Sequence, residues 1–179
     1  MNEDEKLLER EENFLKIINY AIESIAVYKA MYSLVDKYKD NNVFITLLNN
    51  SAMFAVIRLS NLYGTNKEEN HWKKIFTDDE DLFRQKVIHK VFKDNYNEYQ
   101  NNLTNIRNNY FIHYNIGEEK TKNNGKLLTI PDLNISYELL KKTLLFFLDY
   151  FEYTNTDNVE KEIEDFYNVT YDKVICLFK

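Results

Sequence analysis

The sequence has few residues that break regular structure or form covalent cross-links: 1 proline, 3 glycines and 1 cysteine among 179 residues. The lone thiol, Cys176, can form neither an internal disulfide nor a cysteine-based zinc site, so we expect a reducing, cytoplasmic setting. A chain of this length buries about 70% of the surface that its unfolded form exposes, and it needs no disulfide or metal for stability. We therefore predict a single domain over residues 1–179.

The sequence also lacks a long apolar run and an excess of positive charge. Its amino terminus is polar and acidic, unlike a signal peptide. The most apolar stretch, Leu139 to Phe151, contains three charged residues and is shorter than the roughly 20 residues that a membrane-spanning helix requires. A net charge of −6 argues against a protein that coats nucleic acid through bulk positive charge. We expect no membrane contact, and any contact with RNA to be local.

Because glycine and proline, which break helices, are so scarce, helical periodicity dominates the chain. The apolar spacing predicts five main helices and one short segment: Asp4–Lys39, Val43–Tyr63, a helix that follows the N-cap and acidic first turn Thr77-Asp78-Asp79-Glu80 and runs to about Lys93, Tyr96–Tyr114, Ser136–Thr154 and the short His71–Phe76. A turn with a capping residue at Asp40 to Asn42 and a C-terminal cap at Gly64 bound the second helix. The pattern predicts an all-α, up-and-down bundle of about five helices.

Two regions give weaker signals. Asn115–Asn134 holds two glycines and the proline, which predicts an exposed excursion or a short hairpin through Lys126–Ile130. The tail Val159–Phe178 mixes helical and strand signals. We therefore predict a core over residues 5–154, a loop excursion at 115–135 and a C-terminal extension at 155–179.

Most enzyme signatures are missing, including a glycine-rich phosphate loop, a His-x-x-x-His pair, a cysteine pair and a serine elbow. The three histidines lie too far apart in sequence for a local metal cluster, and we predict neither a metal nor a cofactor. His71-Trp72 is more typical of a packed corner than of a site. The bases near His89 follow an acidic helix start, which favours a solvated face over an RNA track; they are Arg84, Lys86, Lys90 and Lys93.

The segment Asn105–Tyr114 differs from the rest of the chain. It joins Arg107, one of only four arginines, to Asn108 and to His113. Arginine binds a phosphate bidentately, and a histidine near its reference pKa of about 6.5 exchanges a proton at neutral pH. This pair suits phosphodiester cleavage without a metal, in which one group takes the proton of the ribose 2′-hydroxyl and a cation stabilises the phosphorus.

The spacing of this pair also predicts how it is used. Six residues at about 100° each place Arg107 and His113 about 120° apart around a helix, so that they flank a cleft. A two-fold dimer would close such a cleft with the same pair from a second copy. We therefore expect a homodimer.

The pattern Arg107-Asn108, four intervening residues and His113 resembles the signature of the HEPN superfamily: an arginine, a polar residue, and a histidine four to six residues after the arginine. The stretch Ala52–Gly64, followed by a polar loop and a short helix, is similar to the AbiU-type branch of abortive-infection proteins. The resemblance covers roughly Glu5 to Thr154, and its specific part is the motif.

The resemblance implies a metal-independent endoribonuclease of a toxin or phage-defence type, acting on RNA as a homodimer whose two motifs face each other. His113 would transfer the proton, Arg107 would bind the phosphate and Asn108 would orient the pair. Tyr110 and Tyr114 are candidates for stacking on bases, although packing is the commoner role in a chain with 14 tyrosines. An antitoxin or regulatory protein is a further implied partner.

Other interpretations remain open at the level of sequence. Some paired HEPN toxins carry a tyrosine two residues after the histidine, the target of a partner nucleotidyltransferase, but Asn115 holds that place here. Many HEPN domains bind RNA or nucleotides without cutting, so a non-catalytic regulatory module is the alternative function. A third possibility is an interaction scaffold in which Arg107 pairs with Glu98 or Asp94 on the surface.

Overall fold

The computed structural model describes residues 3–65, 69–113, 122–123, 126–127, 132–153 and 158–178, with side chains from residue 5 and, in the second range, up to 108; the side chains of 122–123 and 126–127 are not described. This part of the chain forms eight helices. They are α1 (Glu3–Tyr32), α2 (Val35–Tyr38), α3 (Asn42–Tyr63), α4 (Trp72–Ile75), α5 (the consecutive segments Glu80–Phe83, Arg84–Ile88 and His89–Phe92), α6 (Tyr96–His113), α7 (Leu133–Tyr150) and α8 (Val159–Leu177).

The predicted all-α class is confirmed, but the predicted count of about five helices is wrong. The first predicted helix is divided: α1 ends at Tyr32, the Leu34 N–H donates to the Met31 carbonyl at 2.9 Å in a tighter turn, and the short α2 begins at Val35. The tail with mixed signals forms the regular helix α8. The short segment at His71 is also helical, as α4.

Helix α3 matches its predicted bounds to within one residue. The Asn41 side chain accepts a hydrogen bond from the backbone N–H of Phe44 at 3.1 Å and so caps the start of the helix. Gly64 ends it, donating its N–H to the Ser60 carbonyl at 2.8 Å. The backbone of Gly64 is extended (φ −65°, ψ 179°), not in the left-handed conformation common at such caps.

The core lies between α1, α3, α5, α6 and α7. Its largest fully buried side chains are mostly aromatic or β-branched, and they include Phe14, Ile18, Ile22, Phe44, Leu59, Tyr63, Trp72, Phe76, Phe83 and Phe147. Trp72 and Phe83 stack with their ring centroids 4.7 Å apart, and Phe83 stacks on Phe76 at 4.8 Å. This stack joins the short α4 to α5, so that a four-residue helix is held by packing rather than by its own length.

Helix α5 contains a π-helical segment, Arg84–Ile88, at its centre. The wider turn places the adjacent residues Val87 and Ile88 both in the core. The predicted solvated face is confirmed for Lys86, Lys90 and Lys93, which are exposed. It is wrong for Arg84, whose guanidinium lies partly buried over the Trp72 ring, 5.2 Å from the ring centroid.

A short antiparallel pair, β1 (Lys122–Asn123) with β2 (Lys126–Leu127), lies within the predicted loop excursion. This pair overlaps the predicted hairpin through Lys126–Ile130 only at Lys126–Leu127, since residues 128–130 lie outside the described residues. Neighbouring parts of this excursion are outside the described residues.

Helix α8 packs mainly against α1, and a buried lysine of α7 adds a second attachment. Lys141 is 9% exposed, and its Nζ lies 3.0 Å from Glu160, 3.3 Å from Glu164 and 3.6 Å from Glu138. Burial alone would lower the pKa of Lys141, but the three carboxylates outweigh it and raise that pKa. The ion cluster therefore joins α8 to α7 through one cation.

Candidate functional site

The predicted catalytic segment lies at the end of α6, which is continuous from Tyr96 to His113. Arg107 is partly buried and Asn108 is exposed. The backbone of Tyr110 and His113 belongs to the last turns of the helix, while their side chains lie outside the described residues, as does the whole of Tyr114. The structure thus places four of the five predicted residues on one helix.

The helical backbone fixes how the ends of this motif are arranged. Six residues correspond to about 9 Å along the helix axis and about 120° around it. Arg107 and His113 accordingly start from different sides of α6, as the sequence predicted. The side chain of His113 lies outside the described residues, so the two positions are related here through the backbone of α6.

Hydrogen bonds to the end of α3 hold α6 in place. The amide of Gln100 donates from Nε2 to the carbonyls of Tyr63 and Gly64, both at 2.9 Å. One turn later, the Thr104 hydroxyl oxygen accepts the backbone N–H of Thr65 at 2.8 Å. We call this set of bonds the Gly64 hub; it ends three residues before Arg107.

Only a glycine fits at the centre of the Gly64 hub. A Cβ atom there would lie 2.5 Å from the Ser60 carbonyl oxygen, 2.8 Å from the Ser60 hydroxyl and 3.2 Å from the Thr104 hydroxyl. The first two separations are shorter than real Cβ contacts. The absence of a side chain lets α6 approach the end of α3 closely.

His71 belongs to the same hub and has a structural role. Its side chain is 1% exposed; Nε2 lies 2.9 Å from the Gly64 carbonyl, and Nδ1 accepts the Lys73 backbone N–H at 3.2 Å. Since a carbonyl only accepts, Nε2 carries the proton and the ring is in its neutral tautomer. The adjacent Trp72 is fully buried and donates to the Tyr96 hydroxyl at 3.0 Å. The prediction of a packed corner is confirmed.

The opposite side of α6 packs in the core. Leu103 is 0% and Ile106 is 3% exposed, and the Tyr99 hydroxyl lies 2.9 Å from the Ser136 hydroxyl of α7. Burial raises the pKa of Tyr99 far above 10, so that its phenol stays protonated at neutral pH. Helix α6 is therefore packed and hydrogen-bonded up to Ile106, and the candidate motif begins at the next residue.

Sequence reasoning identified the motif but not the hub that positions it. Gly64 was predicted only as a helix cap, and Gln100 and Thr104 carried no separate signal. Gln100 and Thr104 are four residues apart and therefore lie on the same side of α6. Two polar residues with this spacing, beside an apolar face, indicate a shared partner.

Two further observations bear on the chemistry. Among the residues whose side chains are described, there is no group of three or more histidine, cysteine, aspartate or glutamate residues that could hold a metal ion. Comparison with protein-family models, curated proteins and solved structures gives no match to this chain. The resemblance to the HEPN superfamily thus rests on the residues of the motif.

Proposed function

We propose that this protein is a metal-independent endoribonuclease of a bacterial toxin or phage-defence type, working on RNA in the cytoplasm as a homodimer. The observation that carries the proposal is the sequence Arg107-Asn108, followed by His113, at the end of the continuous helix α6. An antitoxin or another regulatory protein is the partner that such an activity requires in its own cell.

The proposed reaction uses the two charged or titratable side chains of the motif. His113 accepts the proton of a ribose 2′-hydroxyl as the 2′-oxygen bonds to phosphorus, and the bond from phosphorus to the 5′-oxygen breaks. The leaving 5′-oxygen takes up a proton from water, and His113 later returns its own proton to the solvent, which gives a 2′,3′-cyclic phosphate and a 5′-hydroxyl. Arg107 binds the phosphate and stabilises its developing charge, and Asn108 orients the pair.

The surroundings of the motif support this assignment. The Gly64 hub and the buried Ile106 fix α6 immediately before Arg107, and a rigid element positions catalytic groups more accurately than a loop. Arg107 is partly buried, which strengthens its attraction for a phosphate relative to a fully hydrated arginine.

The experiment is cleavage of mixed cellular RNA in excess chelator, with analysis of the product ends. Wild-type protein should give fragments that end in 2′,3′-cyclic phosphate, and His113→Ala should give none. His89→Ala is the matched control, because His89 is an exposed histidine on α5, and it should cleave like the wild type. Equal cleavage by wild type and His113→Ala would refute the assignment.

A second experiment tests the alternative function, a non-catalytic RNA- or nucleotide-binding module. RNA binding by the purified protein is measured for wild type, His113→Ala and Arg107→Ala. Loss of cleavage with retained binding in His113→Ala supports the nuclease. Binding that needs Arg107, without cleavage by any variant and with the fold intact by circular dichroism, would replace the nuclease with the binding module.

A further inference from the structure

The outward face of α3 is nearly free of charge. In its 22 residues only Arg58 is charged, whereas the 19 residues of α8 carry seven charged side chains. Exposed positions of α3 are uncharged: they are apolar or amide-bearing except for Thr46, and Val43 is 69%, Leu47 46% and Phe54 54% exposed. In a chain with 29% charged residues, an uncharged surface along a whole helix is typical of an interface that excludes water.

The spacing along this face is that of a helix-pairing seam. Its residues follow each other at steps of four, three, four, three and four, the pattern of facing positions in a coiled coil. They are Val43, Leu47, Asn50, Phe54, Ile57 and Asn61, which we call the α3 seam. Asn50, Ile57 and Asn61 are partly buried by the protein's own neighbours.

A rigid aromatic cluster borders the α3 seam. The Arg58 guanidinium lies 5.2 Å from the centroid of the Tyr20 ring and 5.6 Å from that of Phe54. Its Nη1 donates to the Tyr20 carbonyl at 2.9 Å and also to the Ser24 hydroxyl. Arginine and tyrosine held in this way lose little conformational freedom on binding and are enriched among the residues that dominate interface energies.

The charge of the protein disfavours a lipid surface as the occupant of this face. By length and composition α3 is apolar enough to cross a membrane, but 44% of its apolar window is buried within the protein. Helices that lie on membranes carry several lysines or arginines for anionic headgroups, whereas α3 has one arginine and the chain has a net charge of −6.

The size and chemistry of the face fit a second copy of the chain. A helix of 22 residues is about 33 Å long, and with the adjoining side of α1 the face is about 20 Å wide, or about 650 Å². A standard interface buries about 800 Å² on each partner. An uncharged seam needs an equally uncharged partner, and a second copy supplies one.

We propose that the α3 seams of two copies pack side by side, in parallel, and form a homodimer. In this arrangement every seam residue meets its own counterpart, so that the amide of Asn50 pairs with Asn50 of the second copy and Asn61 with Asn61. An antiparallel pairing with full overlap would set Asn50 against Phe54 and Asn61 against Val43, which leaves both amides without partners. The inference rests on the proposed function for its biological purpose, but its test does not use RNA.

The first test is the mass of the protein in solution at micromolar concentration, by light scattering or sedimentation. Wild type should be a dimer, and Phe54→Glu should raise the dissociation constant at least about 100-fold, because two aromatic rings are lost from the interface and two carboxylates must lose water there even with Arg58 beside each. Val169→Glu on α8 is the matched control, since Val169 is 51% exposed, and it should remain a dimer. A monomeric wild type, or a dimeric Phe54→Glu variant that is folded by circular dichroism, overturns the proposal.

The second test measures orientation. In a Cys176→Ser background, Val43→Cys should form a disulfide-linked dimer under mild oxidation, because a parallel pairing brings position 43 against itself. Val169→Cys in the same background should not. A lack of linkage at position 43 refutes the parallel seam. A linked dimer that does not cleave RNA leaves the seam standing and contradicts only the proposed nuclease.

Discussion

Substituting Gly64 by alanine tests how closely the chain is packed where α3 ends and the Gly64 hub begins. The new Cβ would lie 2.5 Å from the Ser60 carbonyl oxygen and 3.2 Å from the Thr104 hydroxyl. The carbonyl belongs to the backbone of α3 and cannot rotate away, so either the end of α3 or the start of the following loop must shift. Such a shift also stretches the bonds by which Gln100 holds the carbonyls of Tyr63 and Gly64.

Overpacking of this kind costs about 1–3 kcal/mol. For a chain of this length, each kcal/mol lowers the melting temperature by about 2–4 °C. We therefore expect Gly64→Ala to melt about 4–8 °C below the wild type, for a central cost of about 2 kcal/mol. Removal of the Ser60 hydroxyl should relieve part of the clash, so that Gly64→Ala combined with Ser60→Ala loses less than the sum of the two single changes.

The assay is thermal unfolding followed by circular dichroism, with Asn49→Ala as the control at an exposed position of α3. Asn49→Ala should stay within about 0.5 kcal/mol of the wild type. A Gly64→Ala variant that melts within 1 °C of the wild type would show that the end of α3 accommodates a Cβ atom without a shift, and the argument that only glycine fits in the Gly64 hub would fail.

Two other changes test the buried phenols and the attachment of α8. Tyr63, Tyr96 and Tyr99 are buried with raised pKa values, so above pH 10 these three phenols ionise only in the unfolded chain, and together they should contribute a fall in the free energy of unfolding of about 4 kcal/mol per pH unit. Tyr99→Phe should reduce the slope measured in urea titrations between pH 10 and 11 by about 1 kcal/mol per pH unit, and an unchanged slope would contradict the burial of this phenol. Lys141→Glu should place carboxylates together without a cation and so increase hydrogen exchange in α8 at least 10-fold. Lys141→Arg keeps the cation and should preserve the protection of α8. Equal exchange in both variants would show that the cluster does not hold α8.

The sequence alone predicts the bounds of those helices whose ends carry local signals. Asn41 caps the start of α3 and Gly64 ends it, and both effects depend on residues within one turn. The division of α1 from α2 carries no such signal, because neither glycine nor proline stands there and Ser33 is of a type that occurs within helices as well as at their ends. The sequence pattern alone could not place this break.

Helix α8 was not predicted as a helix because its stability comes from distant parts of the chain. Only Ile163 is fully buried among its residues, and Lys141 of α7 supplies the charge that attracts its glutamates. The Tyr38 hydroxyl, from the region before α3, donates to the Phe178 carbonyl at 2.5 Å. These contacts join residues 19 or more positions apart, which a periodicity window of one helix does not include.

The candidate motif was predictable because its residues are close in sequence and scarce in this composition. Its positioning was not, since the Gly64 hub joins residues of α3 to residues of α6 that lie 36 or more positions later. Arg84 shows the same limit: its neighbours in sequence suggest a solvated base, while its actual partner is the ring of Trp72 on another helix.

Helix α3 is one rigid element that connects the proposed active site on α6 to the proposed dimer interface. Its C-terminal end holds α6 through the Gly64 hub, and its outward face is the seam proposed to meet a second copy. In a parallel pair of α3 helices, the two Gly64 hubs lie at the same end of the dimer, and so do the two α6 helices that they hold. The separation of the two Arg107 residues is then set by packed helices rather than by loops. A substitution in the seam that keeps the fold, such as Phe54→Glu, should therefore abolish RNA cleavage without any contact to the motif, if catalysis needs both copies. Cleavage by the monomeric variant at the wild-type rate would show that one copy of the motif is sufficient.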